Sequence, residues 1–227
     1  ETDNLLVVDN DAWRDADESV SGGYAAINEA VAQRFGVLFS AGEIDDDVEV
    51  GQSVVDASEV INTLSGGGLS TIGYATAEVD SDEGLLSRFG GDEESIAAEG
   101  DATNRITSLV RSATLGRLTL PCDVQSVERA LVVVAGPPEL LNRKGIERGR
   151  KWLEEQTGSM EVRGGDYPIP GAGSVAAAVL LSGVTDVPRI EALQSRAVDA
   201  DEAAAEATAG REAGMADLMD DGLDPLF

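Results

Sequence analysis

Val54-Val55-Asp56-Ala57-Ser58-Glu59 runs into Val60-Ile61-Asn62-Thr63-Leu64 and then into Ser65-Gly66-Gly67-Gly68-Leu69-Ser70-Thr71-Ile72-Gly73-Tyr74. Val60, Ile61 and Leu64 fall on one face at helical spacing, so the middle of this stretch predicts a short helix. Ser65 and the three glycines end it, and Leu69 to Ala77 predicts a strand. Asp56 and Glu59, three apart at the helix start, share a face. They could polarise a water or hold a cation, as hydrolysis of a phosphate ester requires. The same Asp-x-x-Glu spacing is also a capping pattern, in which Asp56 accepts amide hydrogen bonds and Glu59 reaches back. Spacing does not separate these readings. Ser65 to Gly68 reads as a turn, because a phosphate cradle needs a following Lys-Ser/Thr or a helix starting at the loop, and here a strand follows.

Upstream, Leu5-Leu6-Val7-Val8 predicts a central strand running into an Asp9-Asn10-Asp11 turn and an acidic linker as far as Ser21. Ile27, Val31, Phe35, Leu38 and Phe39 predict a long helix from Gly22 to about Ala41, stopped by Gly42 and followed by an acidic loop from Glu43 to Glu49. Tyr24 and Asn28 stand four apart on that helix and share a face. With Asn10 they could stack a planar base and read its edge, or they could be a core aromatic, a solvated amide and a turn cap.

Downstream, Glu78 to Asp101 reads as an acidic surface loop, and Thr103 to Leu115 as a helix with Ile106, Leu109, Val110 and Ala113 inward. Arg129 to Ala135 is a buried strand ended by Gly136-Pro137-Pro138, and Arg143 to Gln156 a helix with Ile146, Trp152 and Leu153 on its apolar side. Met160 to Tyr167 and Val175 to Val184 are two more strands. A last helix from Pro188, through Leu193 and Val198, fades into an alanine-rich acidic tail expected to be mobile. The order β-α-α-β, then α-β-α-β-β-α, is that of an α/β domain with no internal repeat, entered by a long helix.

The 227 residues carry 43 acidic and 16 basic side chains, a net charge of −27, one cysteine and no histidine. Ser-His-Asp and Cys-His catalysis and Cys/His zinc sites lack their residues, and no metal-ligand set is assigned. Nucleic acid is excluded as a partner, since so negative a field repels phosphate. Fourteen of the basic residues are arginine, and this lysine-poor, acid-rich balance resembles proteins of salt-loving archaea. Strong salt shrinks the Debye length to roughly 3 Å at 1 M, which screens such self-repulsion. No stretch reads as a signal peptide or a transmembrane span, and the lone Cys122 reads as a structural thiol, so the chain is expected to be cytoplasmic. A sheet that begins at once after Glu1 suggests a segment of a longer chain.

Taken in order, Leu-Leu-Val-Val-Asp-Asn-Asp-Ala, Tyr24 and Asn28 on a long helix, Val-Val-Asp-Ala-Ser-Glu and Gly-Gly-Gly-Leu-Ser-Thr-Ile-Gly-Tyr resemble the second half of the tubulin/FtsZ superfamily, most closely its archaeal CetZ proteins. The resemblance runs from Thr2 to about Leu193. It implies that residues 1–20 end a nucleotide-binding domain, 21–42 form the central helix, 43–198 form a mixed-sheet α/β C-terminal domain, and 199–227 are a disordered acidic tail. Asn10, Tyr24 and Asn28 match positions that contact the guanine of GTP or GDP. Asp56 and Glu59 match the catalytic acidic pair that enters the nucleotide site of the next subunit, where Mg2+ accompanies the phosphates.

The implied partner is the chain itself, in a head-to-tail filament serving archaeal cell shape or division. The apolar end of the tail, Leu218 to Phe227, is a candidate docking peptide for a partner protein. Val54 stands where many FtsZ-like sequences have Asn, and the half with glycine-rich phosphate loops is not in these residues. Two rivals remain: an interaction domain that binds filaments or partners without nucleotide turnover, and a metal-dependent hydrolase using Asp56 and Glu59 within one chain.

Overall fold

A computed structural model describes residues 3–13, 20–41, 55–79 and 92–220. Most of the acidic linker, Gly42, the loop Glu43 to Glu49, Val54 and the tail beyond Asp220 lie outside them. In chain order the elements are β1 (Asn4–Leu6), a 3-10 turn (Asn10–Trp13), α1 (Val20–Ser40), α2 (Ala57–Leu64), β2 (Gly68–Glu78), α3 (Asp92–Leu115), β3 (Arg129–Gly136), α4 (Arg143–Thr157), β4 (Glu161–Pro168), β5 (Ser174–Val184) and α5 (Pro188–Asp220). Among the described residues this is the predicted order of helices and strands.

The sheet order is β1-β2-β5-β3-β4. β1 and β2 are parallel, as are β3 and β4, while β5 runs antiparallel to both β2 and β3, so the sheet is mixed. β5 is central, and its continuous run Val175 to Leu181 is buried throughout, as a strand covered on both faces must be. Register places Ile72, Leu180 and Leu131 side by side across three strands. That row forms one core with Val133, with Leu38 and Ala41 from the end of α1, and with Val55 and Val60 around the start of α2. On the other side α3 and α4 contribute Ile106, Leu109, Val110, Ala113, Ile146 and Leu153, all buried.

Several local expectations are corrected. The opening strand ends at Leu6 and, among the described residues, stands at one end of the order; past Val7, whose N–H donates to Ser70 O at 3.0 Å, Thr119 takes the next place on β2, its N–H donating to Ile72 O at 2.9 Å while its own carbonyl accepts from Asp9 N at 2.7 Å. Ile61 is exposed, and Thr63 faces inward instead, its hydroxyl satisfied by Glu59 O at 2.8 Å so that its methyl can be buried. α3 begins at Asp92, well inside the stretch read as a loop. Its early turns lack an apolar stripe but are rich in Ala and Glu, which favour helix without one. Trp152 is only half-buried and lies beneath the Arg111 guanidinium, 5.3 Å from the ring centre.

The chain divides into two compact units, one ending at Asp186 and the other starting at Val187. The second contains α5, which continues past Val198 to Asp220 and is exposed from Glu191 to Asp217. Alanine carries no side-chain entropy penalty, so this segment holds helical geometry without a packed face.

α3 lies so close to β2 that a β-carbon on Gly73 would stand 1.9 Å from Ala113 O. Gly73→Ala is therefore expected to lower the unfolding free energy by about 2–3 kcal/mol or more. Urea unfolding followed by circular dichroism checks this; an unchanged midpoint would mean that α3 yields to the strand.

Candidate functional site

α2 starts where Asp56 leaves the helical conformation, with extended backbone (φ −109, ψ 172). Its carboxylate accepts from Glu59 N at 3.0 Å and from the Ser58 hydroxyl. These bonds, the Ser58 hydroxyl first and the Glu59 amide next, hold its pKa below the ordinary carboxylate value. Asp56 is fully exposed, so the cap is formed in water. Glu59 supplies the capping amide, but its carboxylate turns toward β4, where Arg163 Nη1 donates to Oε2 at 2.6 Å. Asp56 thus caps as the spacing allows, while Glu59 has a partner that spacing could not reveal.

Tyr24 is 50% exposed and Asn28 is exposed one turn further along α1, so Tyr24 is not a core aromatic. The turn bearing Asn10 is capped by Asp9, whose Oδ1 accepts from Asp11 N at 3.1 Å and whose carbonyl accepts from Ala12 N at 3.2 Å. Asn10 is left exposed rather than serving as the cap. An exposed ring and two exposed amides suit a planar base with a hydrogen-bonding edge. No phosphate cradle accompanies them in the glycine turn: Gly67 N is spent on Leu64 O at 3.0 Å and Gly68 N on Asp3 O at 2.8 Å. Among the described residues no cluster of three or more His, Cys, Asp or Glu could hold a metal ion.

The five predicted residues form two separate groups. At about 1.5 Å per residue, Tyr24 lies about 24 Å and Asn28 about 18 Å along α1 from Ser40. The end of α1 packs through Leu38 and Ala41 against Val55, the residue before Asp56. The candidate base contacts on α1 and the acidic pair therefore lie toward opposite ends of one helix. A cavity of about 330 Å³ beside α1, lined by Gln33, Gly36, Val37, Ser40, Tyr74, Tyr167 and Ile169, includes none of the five.

Two positioning residues escaped the sequence reading. Arg34 is 6% exposed and Trp13 4% exposed, with the guanidinium 4.3 Å from the ring centre. That ring contact ties the Asn10 turn to α1, and Arg34 also donates to Ala30 O at 2.7 Å and Arg117 O at 3.2 Å. Burial lowers its pKa most, with Arg117 adding to the effect and Tyr74 opposing it. Its signal was present: Ile27, Val31, Arg34 and Leu38 form one stripe, so a cation interrupts an apolar face. At the other end of α2, Arg129 Nη1 donates to Asn62 O at 3.0 Å and Ser65 Oγ at 2.7 Å, and its Nε pairs with Glu161 at 2.9 Å. Cys122 is no nucleophile at neutral pH, since burial first, then Asp123 and Asp186, push its thiol up to about 11.

A family model described as the tubulin-like CetZ C-terminal domain matches residues 17–199. The chain belongs to the CetZ family. It is 66% identical over 206 residues to the tubulin-like protein CetZ1 of Haloferax volcanii, covering 88% of this chain and 52% of the relative. A solved GDP-bound monomer of that protein superposes with TM-score 0.71 at 60% identity, covering 88% of this chain and 51% of that one. A GTPγS-bound protofilament of CetZ2 from the same organism gives TM-score 0.70 at 44% identity over 89% of this chain and 52% of that one. A tryptophan-to-tyrosine mutant of FtsZ from M. jannaschii, at 16% identity and TM-score 0.59 over 81% of this chain and 47% of that one, shares the fold. The chain thus spans about half the length of the relatives it matches, and its mixed sheet is the C-terminal domain of the tubulin/FtsZ fold. Among the described residues no helix is long and apolar enough to cross a membrane.

The depressed pKa of Asp56 makes its cap pH-dependent. Its contribution is complete above the unfolded carboxylate value of about 3.9 and is lost as pH falls through the lower folded value. Asp56→Asn keeps an acceptor but not the charge, so it should unfold at lower denaturant than the parent at neutral pH. The two curves should converge as pH falls through the lowered folded value of Asp56; a gap of constant size across the acid range would assign the loss to something other than the carboxylate charge.

Proposed function

We propose that this chain acts as the C-terminal half of a GTP-binding, filament-forming tubulin-like protein. In this reading Asn10, Tyr24 and Asn28 contact the guanine of a nucleotide whose phosphates and Mg2+ are held by a further half. Asp56 and Glu59 serve the nucleotide of the adjacent subunit, so hydrolysis is completed by head-to-tail assembly. The observation that carries this is the separation along α1, with the base-contacting positions far from the helix end that packs beside Asp56. Groups so placed cannot act on one nucleotide within one chain, whereas stacking subunits end to end brings the acidic pair of one against the base-bound nucleotide of the next. The GDP-bound CetZ1 monomer and the GTPγS-bound CetZ2 protofilament agree with a guanine nucleotide and with self-association.

The chemistry asked of the pair is modest. A carboxylate within reach of a water orients it and accepts its proton as it attacks the γ-phosphate, while cations neutralise the developing charge. Exposure of Asp56 leaves it open to a neighbouring subunit. The filament would work in the cytoplasm, in archaeal cell shape or division, with Leu218 to Phe227 as a docking peptide for a partner protein.

A second reading draws on the same residues: Asp56 is engaged as a cap and Glu59 as an ion-pair partner, which suits an interaction domain that joins filaments without turning over nucleotide. The two are told apart by substituting this chain for the half of Haloferax volcanii CetZ1 it matches. Joint replacement Asp56→Ala and Glu59→Ala should lower GTP turnover per sedimented subunit by about a hundredfold or more, the span of a lost general base. Unchanged turnover per filament would remove the pair from catalysis and leave the capping reading.

A further inference from the structure

The face of the sheet that carries α2 holds two arginines at matched positions. In the β3/β4 ladder Arg129 lies opposite Glu161, and Leu131 lies opposite Arg163. Alternate residues of a strand share a face, so Arg129, Leu131, Glu161 and Arg163 point to the same side of the sheet. Leu131 packs in the core with Val55 and Val60 of the α2 segment, which identifies that side as the one covered by α2. Arg129 holds the carboxyl end of α2 through Asn62 O and Ser65 Oγ, and Arg163 holds the amino end through Glu59 Oε2 at 2.6 Å. α2 is thus braced at both ends by cations from neighbouring strands, and the brace at its amino end falls on a carboxylate of the acidic pair.

We propose that Arg163 is a positioning residue for Glu59, fixing the direction of its carboxylate before a nucleotide is presented to it. This rests on the reading of Asp56 and Glu59 given above. A glutamate at the first turn of a helix has three rotatable side-chain bonds and, unrestrained, samples many directions. A 2.6 Å charge-assisted hydrogen bond from a strand selects one of them, leaving Oε1 and the remaining lone pair of Oε2 for a water. The pair is half-exposed, with side-chain exposures of 40% for Arg163 and 34% for Glu59. Its contribution to stability is accordingly small, as for exposed ion pairs generally, while its effect on direction is not. Asp56 has no such strand partner among the interactions described; it is oriented by its own helix, through Ser58 and the Glu59 amide. The two carboxylates are therefore aimed by different means, one by α2 and one by β4.

The test uses the same chimera with Haloferax volcanii CetZ1. Arg163→Met, which keeps the length and removes the charge, should lower GTP turnover per sedimented subunit about tenfold, the scale of a mispositioned group. The critical concentration for assembly and the melting temperature should stay near those of the parent. Arg163→Lys, which restores the cation, should recover most of the turnover. In the Glu59→Gln background Arg163→Met should add nothing, because coupled residues are non-additive. Parallel losses of assembly and turnover in Arg163→Met, or turnover equal to the parent, would overturn the inference. The two levels separate cleanly: if Glu59→Gln itself leaves turnover unchanged, Arg163 has nothing to position and the catalytic reading of Glu59 falls with it. If Glu59→Gln abolishes turnover and Arg163→Met does not alter it, only the positioning role fails.

Discussion

The row Ile72, Leu180 and Leu131, lying side by side on three adjacent strands, is the surface on which the described arrangement rests. Burying a side chain of this size is worth about 1.5–3 kcal/mol, and among the described residues the helical segments that cover the row are the end of α1 and α2. Both must share it, so Leu38 and Ala41 meet Val55 and Val60. Asp56, one residue past Val55, is carried to the carboxyl end of α1 by this packing rather than by any interaction of its own carboxylate. Tyr24 and Asn28, several turns back along the same rigid helix, are kept away from it for the same reason. The division of the candidate site into two distant groups is a consequence of how one apolar seam is closed.

Polar contacts then set the finer geometry, and the scarce cations carry much of it. In a chain of net charge −27 with only 16 basic residues, Arg34 ties the Asn10 turn to α1, Arg129 holds the far end of α2, and Arg163 meets Glu59. Guanidinium groups suit these junctions, since a planar fork can serve two carbonyls or a carboxylate and also lie over an aromatic ring. The Asn4 side chain adds a neutral counterpart, donating to Leu64 O, Gly67 O and Ser182 Oγ so that β1, the glycine turn and β5 are held together. Salt strong enough to screen the acidic surface acts less on such partly buried pairs. The acidity can therefore serve solubility without dissolving the joints that place functional groups.

Most of the fold was legible because its signals are local. The apolar run of β5, the stripe Ile106, Leu109, Val110 and Ala113, the glycines after Leu64 and the prolines after Gly136 each mark an element or its end within a few residues. Ile61 has the spacing of a core residue, yet Thr63 is buried because an internal hydrogen bond silences its hydroxyl. The early turns of α3 have no apolar period and so carry no periodic sign of a helix, although Ala and Glu favour one. The unbroken apolar run of the opening strand predicts a central place, yet among the described residues β1 stands at one end of the sheet, and past Val7 it is Thr119, far away in sequence, that bonds to β2.

The same division holds for the candidate site. Short spacing was enough to place Asp56 and Glu59 at a helix start, and the order of segments along the chain was enough to name the family; Asn10, Tyr24, Asn28, Asp56 and Glu59 became candidates through that resemblance, since spacing alone left their roles open. Distance between the two groups, the exposure of Tyr24, and the partners of Glu59 and Arg34 came only from the folded chain. Glu59 and Arg163 are separated by 104 positions, and no periodicity within either segment encodes their meeting. It follows from the register of β3 on β4 and from α2 lying over Leu131, which are properties of the sheet as a whole.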